Sequence, residues 1–271
     1  MSVSRREFLQ AGAMVMAGAN VGAAGQGAGG ARPEAPPLTV KALVFDTFGT
    51  VVDWRSSVAR EVEAIAKRKG VTIDGPKFAD AWRAGYGPSM NRVRSGELPW
   101  TKLDALHRMT LDKILLDFRF EGLNEEEKSA LNRAWHRLTP WPDAVAGLAR
   151  LKKKYIIAPL SNGNISLMTD LAKHAGLPWD VILGAELARH YKPDREVYQS
   201  AADILDLKPA DVMMVAAHLG DLRAAKQVGL RTVFVTRPKE FGPDGKPDLK
   251  ADGVADVSAT DFNDLARQLG A

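Results

Sequence analysis

The sequence predicts an α/β fold, a doubly wound parallel sheet with an inserted helical cap, and three observations predict it. An apolar run over residues 38–45, interrupted only by Thr39 and Lys41, ends on Asp46 before a turn at Gly49. Such a run, rich in β-branched and aromatic residues, reads as a strand buried on both faces. From Trp141 to the end of the chain, strand-length apolar runs alternate with helix-length segments, the pattern of a parallel sheet with crossover helices. Between these regions, residues 54–140 carry helical periodicity only, which predicts a helical insertion.

The first 37 residues precede that fold. Ser4-Arg5-Arg6-Glu7-Phe8-Leu9-Gln10 resembles a twin-arginine export signal, followed by an uncharged run of small and apolar residues over 11–24. That run is too short to span a bilayer and matches the apolar region of a signal. Val21-Gly22-Ala23-Ala24 offers small residues for cleavage, and residues 25–37 read as a flexible linker. The alternative is a disordered basic tail. The resemblance implies the twin-arginine export machinery as a partner and a periplasmic location.

After the first strand, residues 56–69 place Val58, Val62, Ile65 and Ala66 on one helical face, and Gly70 stops the helix. Pro76 opens a second helix through Phe78, Ala81 and Trp82. Helices over 101–118, carrying Leu103, Leu106, Leu111, Ile114 and Leu115, and over 124–138 complete four cap helices. Their expected task is to close over Asp46 and exclude water. The chain thus divides into a signal and linker at 1–37, a core at 38–53 and 141–271, and a cap at 54–140. In the core, the predicted strands are 155–160, 181–183, 212–215 and 232–235. The predicted helices are 143–152, 165–174, 194–205, 219–228 and 261–269.

Composition narrows the function. With 45% hydrophobic and 26% charged residues, the chain is an ordinary globular protein, long enough for one large α/β domain with an insertion. The net charge of +4 is mild and partly due to Arg5 and Arg6, which argues against nucleic acid as a partner. With no cysteine, disulfides and thiol catalysis are excluded.

The candidate chemistry sits at predicted strand ends, where ligands bind in open α/β sheets. Asp46, with the Thr50 hydroxyl four residues on, can serve as nucleophile or metal ligand; the alternative is a turn cap. Ser161-Asn162-Gly163 follows the next core strand and can hold a carboxylate with side-chain and backbone donors. Here the alternative is a plain turn. Lys192, in Tyr191-Lys192-Pro193-Asp194, can keep that carboxylate ionised, although most lysines are solvated. His218 and Asp221 follow the strand 212–215, and a strand-end histidine can equally be a simple hydrogen-bonding residue. On the cap, Arg83 offers a fixed planar cation; Arg92 and Arg94 could do the same.

Asp46-Thr47-Phe48-Gly49-Thr50 resembles the first motif of the haloacid dehalogenase superfamily, whose phosphatases read Asp-x-Asp-Gly-Thr. Those phosphatases use the second acid to protonate a leaving alcohol, and this chain has Phe48 there. Halide leaves without a proton, so a dehalogenase has no use for that acid. Ser161-Asn162-Gly163, Lys192-Pro193 with Tyr198 six residues after the lysine, and Val215 to Asp221 resemble the remaining motifs in order. In the last, Ala217 stands where phosphatases carry a magnesium-site acid.

The resemblance is to the (S)-2-haloacid dehalogenase branch. It implies that Asp46 displaces halide from a short 2-haloacid and that water then hydrolyses the aspartyl ester. Thr50, Ser161 and Lys192 would hold the Asp46 carboxylate, with Asp221 supporting the lysine or polarising water. Arg83, Asn162, Tyr198 and His218 would bind substrate and halide. The resemblance implies no cofactor, no metal, a small-molecule 2-haloacid as substrate, and is compatible with a homodimer. Two departures stand out: His218 where an asparagine is common, and Gly220 where an aromatic halide contact is expected. The alternatives are a magnesium-dependent phosphatase of the same fold and a binding protein that has lost turnover.

Overall fold

The computed structural model describes residues 39–271; the twin-arginine stretch and the linker lie outside the described residues. The first strand, β1 (Ala42–Phe45), is shorter than the apolar run suggests. Lys41 is exposed and pairs with Asp211 at 3.1 Å, so the buried ladder begins one residue later. Leu43 and Phe45 pack into one side of the core and Ala42 and Val44 into the other. This is why the sequence shows a continuous apolar run rather than alternation.

A two-residue strand, β2 (Val52–Asp53), leads into the helical insertion of α1 (Trp54–Arg68), α2 (Gly75–Ala84), α3 (Tyr86–Arg94), α4 (Leu103–Asp117) and α5 (Glu125–Asn132). The chain returns through β3 (Thr139–Pro140), which pairs antiparallel with β2. The helix starts are written in the sequence. Asp53 caps α1 by accepting from Ser56 N, Asp74 caps α2 from Lys77 N, and Asn124 with Glu127 forms a reciprocal capping box on α5.

Two expectations change here. Helix α3 follows Gly85 as a separate element, so the insertion has five helices rather than four. The predicted helix over 124–138 ends at Asn132 and tightens into a 3-10 turn, Arg133–His136. That turn points Trp135 inward, where its ring meets Trp54, Trp82, Phe48 and His107 at centroid distances of 4.4–6.2 Å. Such aromatic pairs contribute about 0.5–1.5 kcal/mol each beyond simple burial.

The remainder alternates: α6 (Ala144–Leu151), β4 (Ile156–Ser161), α7 (Ile165–Ala175), β5 (Leu183–Gly184), α8 (Ala185–Ala188), α9 (Arg195–Ile204), β6 (Val212–Ala216), α10 (Leu219–Val228), β7 (Arg231–Val235), β8 (Val257–Ala259) and α11 (Phe262–Gln268). The short edge strand β8 and the one-turn helix α8 were not expected. Both are too brief to show a period. The six strands run in the order β5-β4-β1-β6-β7-β8, every pair parallel. The acid-bearing strand β1 therefore lies between β4 and β6, and their carboxyl ends present Asp46, Ser161 and Ala216 along one edge. The helical insertion leaves the sheet at this edge, and Thr39–Ala271 packs as one unit.

Candidate active site

Asp46 is the centre of the site. Its backbone N–H donates to Val215 O at 3.0 Å, continuing the β1–β6 ladder past the end of β1 and fixing where the side chain emerges. Lys192 Nζ donates to Asp46 Oδ1 at 2.9 Å; Thr50 Oγ1 donates to Oδ2 at 2.7 Å, and His218 Nδ1 lies 3.1 Å from the same oxygen. Thr50 is itself oriented by Ala217 N, which donates to its hydroxyl at 2.9 Å. Burial alone would raise the Asp46 pKa. The Lys192 charge, the His218 hydrogen bond and charge, and Thr50 outweigh it and hold the carboxyl well below the usual carboxylate range.

Lys192 also donates to Asp221 Oδ2 at 2.5 Å, and Tyr198 OH donates to Asp221 Oδ1 at 2.5 Å. Burial works against the Lys192 cation, but the Asp221 and Asp46 charges raise its pKa above the ordinary lysine value. Both Asp221 carboxylate oxygens are thus engaged, one by Lys192 and one by Tyr198. Burial, and then the Asp221 charge, push the Tyr198 phenol up, so Tyr198 remains a donor. The backbone of Lys192 is anchored as well: its N–H donates to Asn162 Oδ1 at 2.7 Å.

Ser161 departs from expectation. Its hydroxyl accepts from Gly163 N at 3.1 Å, shaping the Ser-Asn-Gly turn, and no hydrogen bond joins it to Asp46. His218, read as a substrate or halide contact, lies at the cavity and also bridges Asp46 and Glu240, with Nε2 2.9 Å from Glu240 Oε2. Burial would lower the imidazole pKa, yet the hydrogen bonds and charges of Asp46 and Glu240 raise it to about 10.

Glu240 was not read from the sequence at all. It is 1% exposed, lies in the loop after β7, and accepts from Trp54 Nε1 at 3.2 Å. The signal for it was indirect. Gly49 has φ +90°, and a Cβ there would collide with the Glu240 carboxylate, so the first motif's glycine both turns the chain and makes room for this acid.

The helical insertion supplies Arg83 from α2. Its guanidinium stacks on Tyr86, 3.9 Å from the ring centroid, and its Nη1 is buried without a hydrogen-bond partner among the described residues. The other two arginines are engaged elsewhere. Arg92 pairs with Glu97 at 2.6 Å, while Arg94 pairs with Asp194 at 2.7 Å and donates to the carbonyls of Tyr191 and Lys192. Arg94 therefore ties the helical insertion to the loop that carries the lysine.

Asp46, Arg83, Tyr86, Asn162, Lys192, Tyr198, His218, Gly220 and Asp221 border one cavity of about 300 Å³. Gly220 leaves its wall open, since a Cβ there would meet nothing within 4 Å. Phe48 is buried against Trp135 and Tyr86 and brings no acid to the cavity. The arrangement offers an ionised, oriented carboxylate, a lysine cation bonded to it, a histidine–glutamate pair at one oxygen, and a guanidinium without a carboxylate partner among the described residues on the same cavity.

Residues 40–229 match the haloacid dehalogenase-like hydrolase family. The chain is 30% identical to (S)-2-haloacid dehalogenase 4A of Burkholderia cepacia, over 75% of this chain and 87% of that protein. It is also 30% identical to (S)-2-haloacid dehalogenase 1 of Pseudomonas sp. strain CBS-3, over 74% and 88%. Among solved structures it resembles a defluorinating L-2-haloacid dehalogenase, with TM-score 0.83 and 50% identity, over 89% of this chain and 100% of that one.

Proposed function

The chain belongs to the haloacid dehalogenase-like hydrolase family, and on that basis we propose the reaction that its site performs. It is a hydrolase acting on carbon–halide bonds, an (S)-2-haloacid dehalogenase. The observation that carries the mechanism is the Asp46 carboxylate, ionised by Lys192, Thr50 and His218 and accompanied by Phe48 rather than a second acid.

In the first step, an Asp46 oxygen attacks the halogen-bearing carbon, forming a carbon–oxygen bond as the carbon–halogen bond breaks and halide departs with the electron pair. Arg83 and the Asn162 amide are the donors positioned for the developing halide charge. Esterification removes the Asp46 charge, one of the two anions that keep His218 protonated. The histidine pKa then falls, and its proton leaves with the halide as the net acid product.

In the second step, neutral His218, oriented by Glu240 through Nε2, takes a proton from water as the oxygen attacks the Asp46 carboxyl carbon. Collapse of the tetrahedral intermediate returns the Asp46 carboxylate. The remaining proton goes to the departing alkoxide, giving the 2-hydroxyacid.

The assay is direct: 2-chloropropionate and p-nitrophenyl phosphate, each after exhaustive chelation. Chloride release should survive chelation and phosphate release should be negligible. Activity on the phosphate ester that returns only with magnesium would favour a phosphatase instead.

We also propose export by the twin-arginine route to the periplasm, on the support of Arg5-Arg6 followed by Phe8-Leu9 and an uncharged stretch. Replacing both arginines with lysine should retain full-length precursor in the cytoplasm. Identical fractionation of the unchanged protein and the lysine variant would refute the signal.

A further inference from the structure

Arg83 borders two cavities. The first is the catalytic cavity; the second, of about 600 Å³, is lined by α2, the start of α1 and the loop 241–245. Among the described residues, Arg83 is the one common to both linings. Its guanidinium carbon lies 3.9 Å from the Tyr86 ring centroid and 5.5 Å from that of Trp54. Tyr86 lines the catalytic cavity and Trp54 lines the second one. A planar cation between two rings is therefore the partition separating the cavities.

Of the other charged side chains lining the second cavity, Arg55, Asp80 and Lys77 are paired, and Asp244 makes no pair with Arg83. Arg55 is clamped by Asp80 through two bonds of 2.7 and 2.8 Å, and Lys77 lies 3.1 Å from Asp74. Among the described residues no carboxylate pairs with Arg83, and its Nη1 is buried and unpartnered. A guanidinium held by aromatic stacking rather than by a salt bridge can pivot without separating an ion pair.

The reaction gives this partition a task. In-line displacement leaves halide on the side of the carbon opposite Asp46, and Arg83 is the cation of this cavity that has no carboxylate partner among the described residues, while the ester keeps the organic group at Asp46. We propose that the cavity behind Arg83 is a halide-release vestibule, through which the ion leaves while the aspartyl ester still occupies the front. This rests on the dehalogenase reading above. The vestibule takes a small monovalent anion, passed from one face of the guanidinium to the other, and the hydroxyacid leaves by the front.

The test separates ester formation from halide release in one turnover of 2-chloropropionate. Rapid quenching with mass measurement of the protein follows the ester, and a chloride-sensitive dye follows free chloride. Two vestibule variants are compared with wild type. Ala84→Phe adds bulk at an exposed position of the lining, and Lys77→Glu reverses a charge on a side chain that is 78% exposed. Both should form ester within about twofold of the wild-type rate and release chloride at least fivefold more slowly than the ester appears. Chloride appearing in step with the ester in both variants would overturn the vestibule while leaving the dehalogenase reading intact. Absence of any ester in wild type would overturn both.

Discussion

At the scale of single residues, the site depends on how two cations, Lys192 and His218, share one buried carboxylate. Asp46 would be a poor nucleophile if protonated, and burial pushes it that way. Lys192 and His218 reverse the balance. The same contacts read from the other side raise the His218 pKa to about 10, so in the proposed mechanism it becomes a base only after Asp46 is esterified. Glu240→Gln keeps the shape of the pair and removes its charge. Halide release in the first turnover should proceed at its normal rate, followed by steady-state turnover slowed about a hundredfold, within the usual range for losing general-base assistance. Equal slowing of ester formation and ester hydrolysis would show that the pair does not act on the water step.

Asp46 and the two residues bonded to its carboxylate, Thr50 and Lys192, were legible because each sits at a strand end or in a short motif. Ser161 was misread, because its motif fixes the turn but not the direction of the hydroxyl. Glu240 was not legible, because it comes from a long loop and meets His218 only through the tertiary fold.

At the scale of elements, the helical insertion is joined to the core by a polar cluster beside the site. Asp104 at the start of α4 accepts from Asn164 Nδ2 at 2.9 Å, and Asp104 N donates back to Asn164 Oδ1 at 3.1 Å. Asn164 immediately follows Ser161-Asn162-Gly163. His136, in the 3-10 turn, lies 3.0 Å from Asp104 and 2.9 Å from Asp170 of α7. Burial would lower the His136 pKa, but the two carboxylates raise it above the ordinary imidazole value.

Its contribution to stability is therefore fully present below the unfolded value of about 6.5 and is lost as pH rises through the higher folded value. Asp104 is depressed by the same contacts, so its share is present above the ordinary aspartate value and is lost as pH falls through the folded one. The difference in melting temperature between wild type and His136→Gln should be largest near pH 6 and should shrink on alkaline titration. A difference independent of pH would mean that His136 contributes by packing alone. The sequence showed helical periodicity through this region but not its end at Asn132, because nothing local marks the turn that the Trp135 ring contacts require.

At the scale of the whole molecule, the sheet order explains why residues distant in sequence make one site. With β1 between β4 and β6, the strand ends bearing Asp46, Ser161 and Ala216 are neighbours, and the segments after them deliver Asn162, His218 and, in the first turn of α10, Asp221. Alternation of strands and helices made the α/β class legible, and the motif order made the central strand legible. The edge strand β8 and the β2–β3 pair were not, since two or three residues carry no usable period. The second cavity was not legible either, because it exists only where α2 packs against α1 and the loop 241–245.

The central claim is that Asp46 is the covalent nucleophile and that water attacks its carboxyl carbon rather than the substrate. Its most direct measurement is a single turnover of 2-chloropropionate in heavy-oxygen water with enzyme in excess, followed by mass analysis of the Asp46 peptide and of the product. The account predicts one heavy oxygen in Asp46 and an unlabelled hydroxyl in the first product molecule, with Asp46→Asn releasing no chloride. Heavy oxygen in the first product, with Asp46 unlabelled, would mean that water attacks the halogen-bearing carbon directly, and would contradict it.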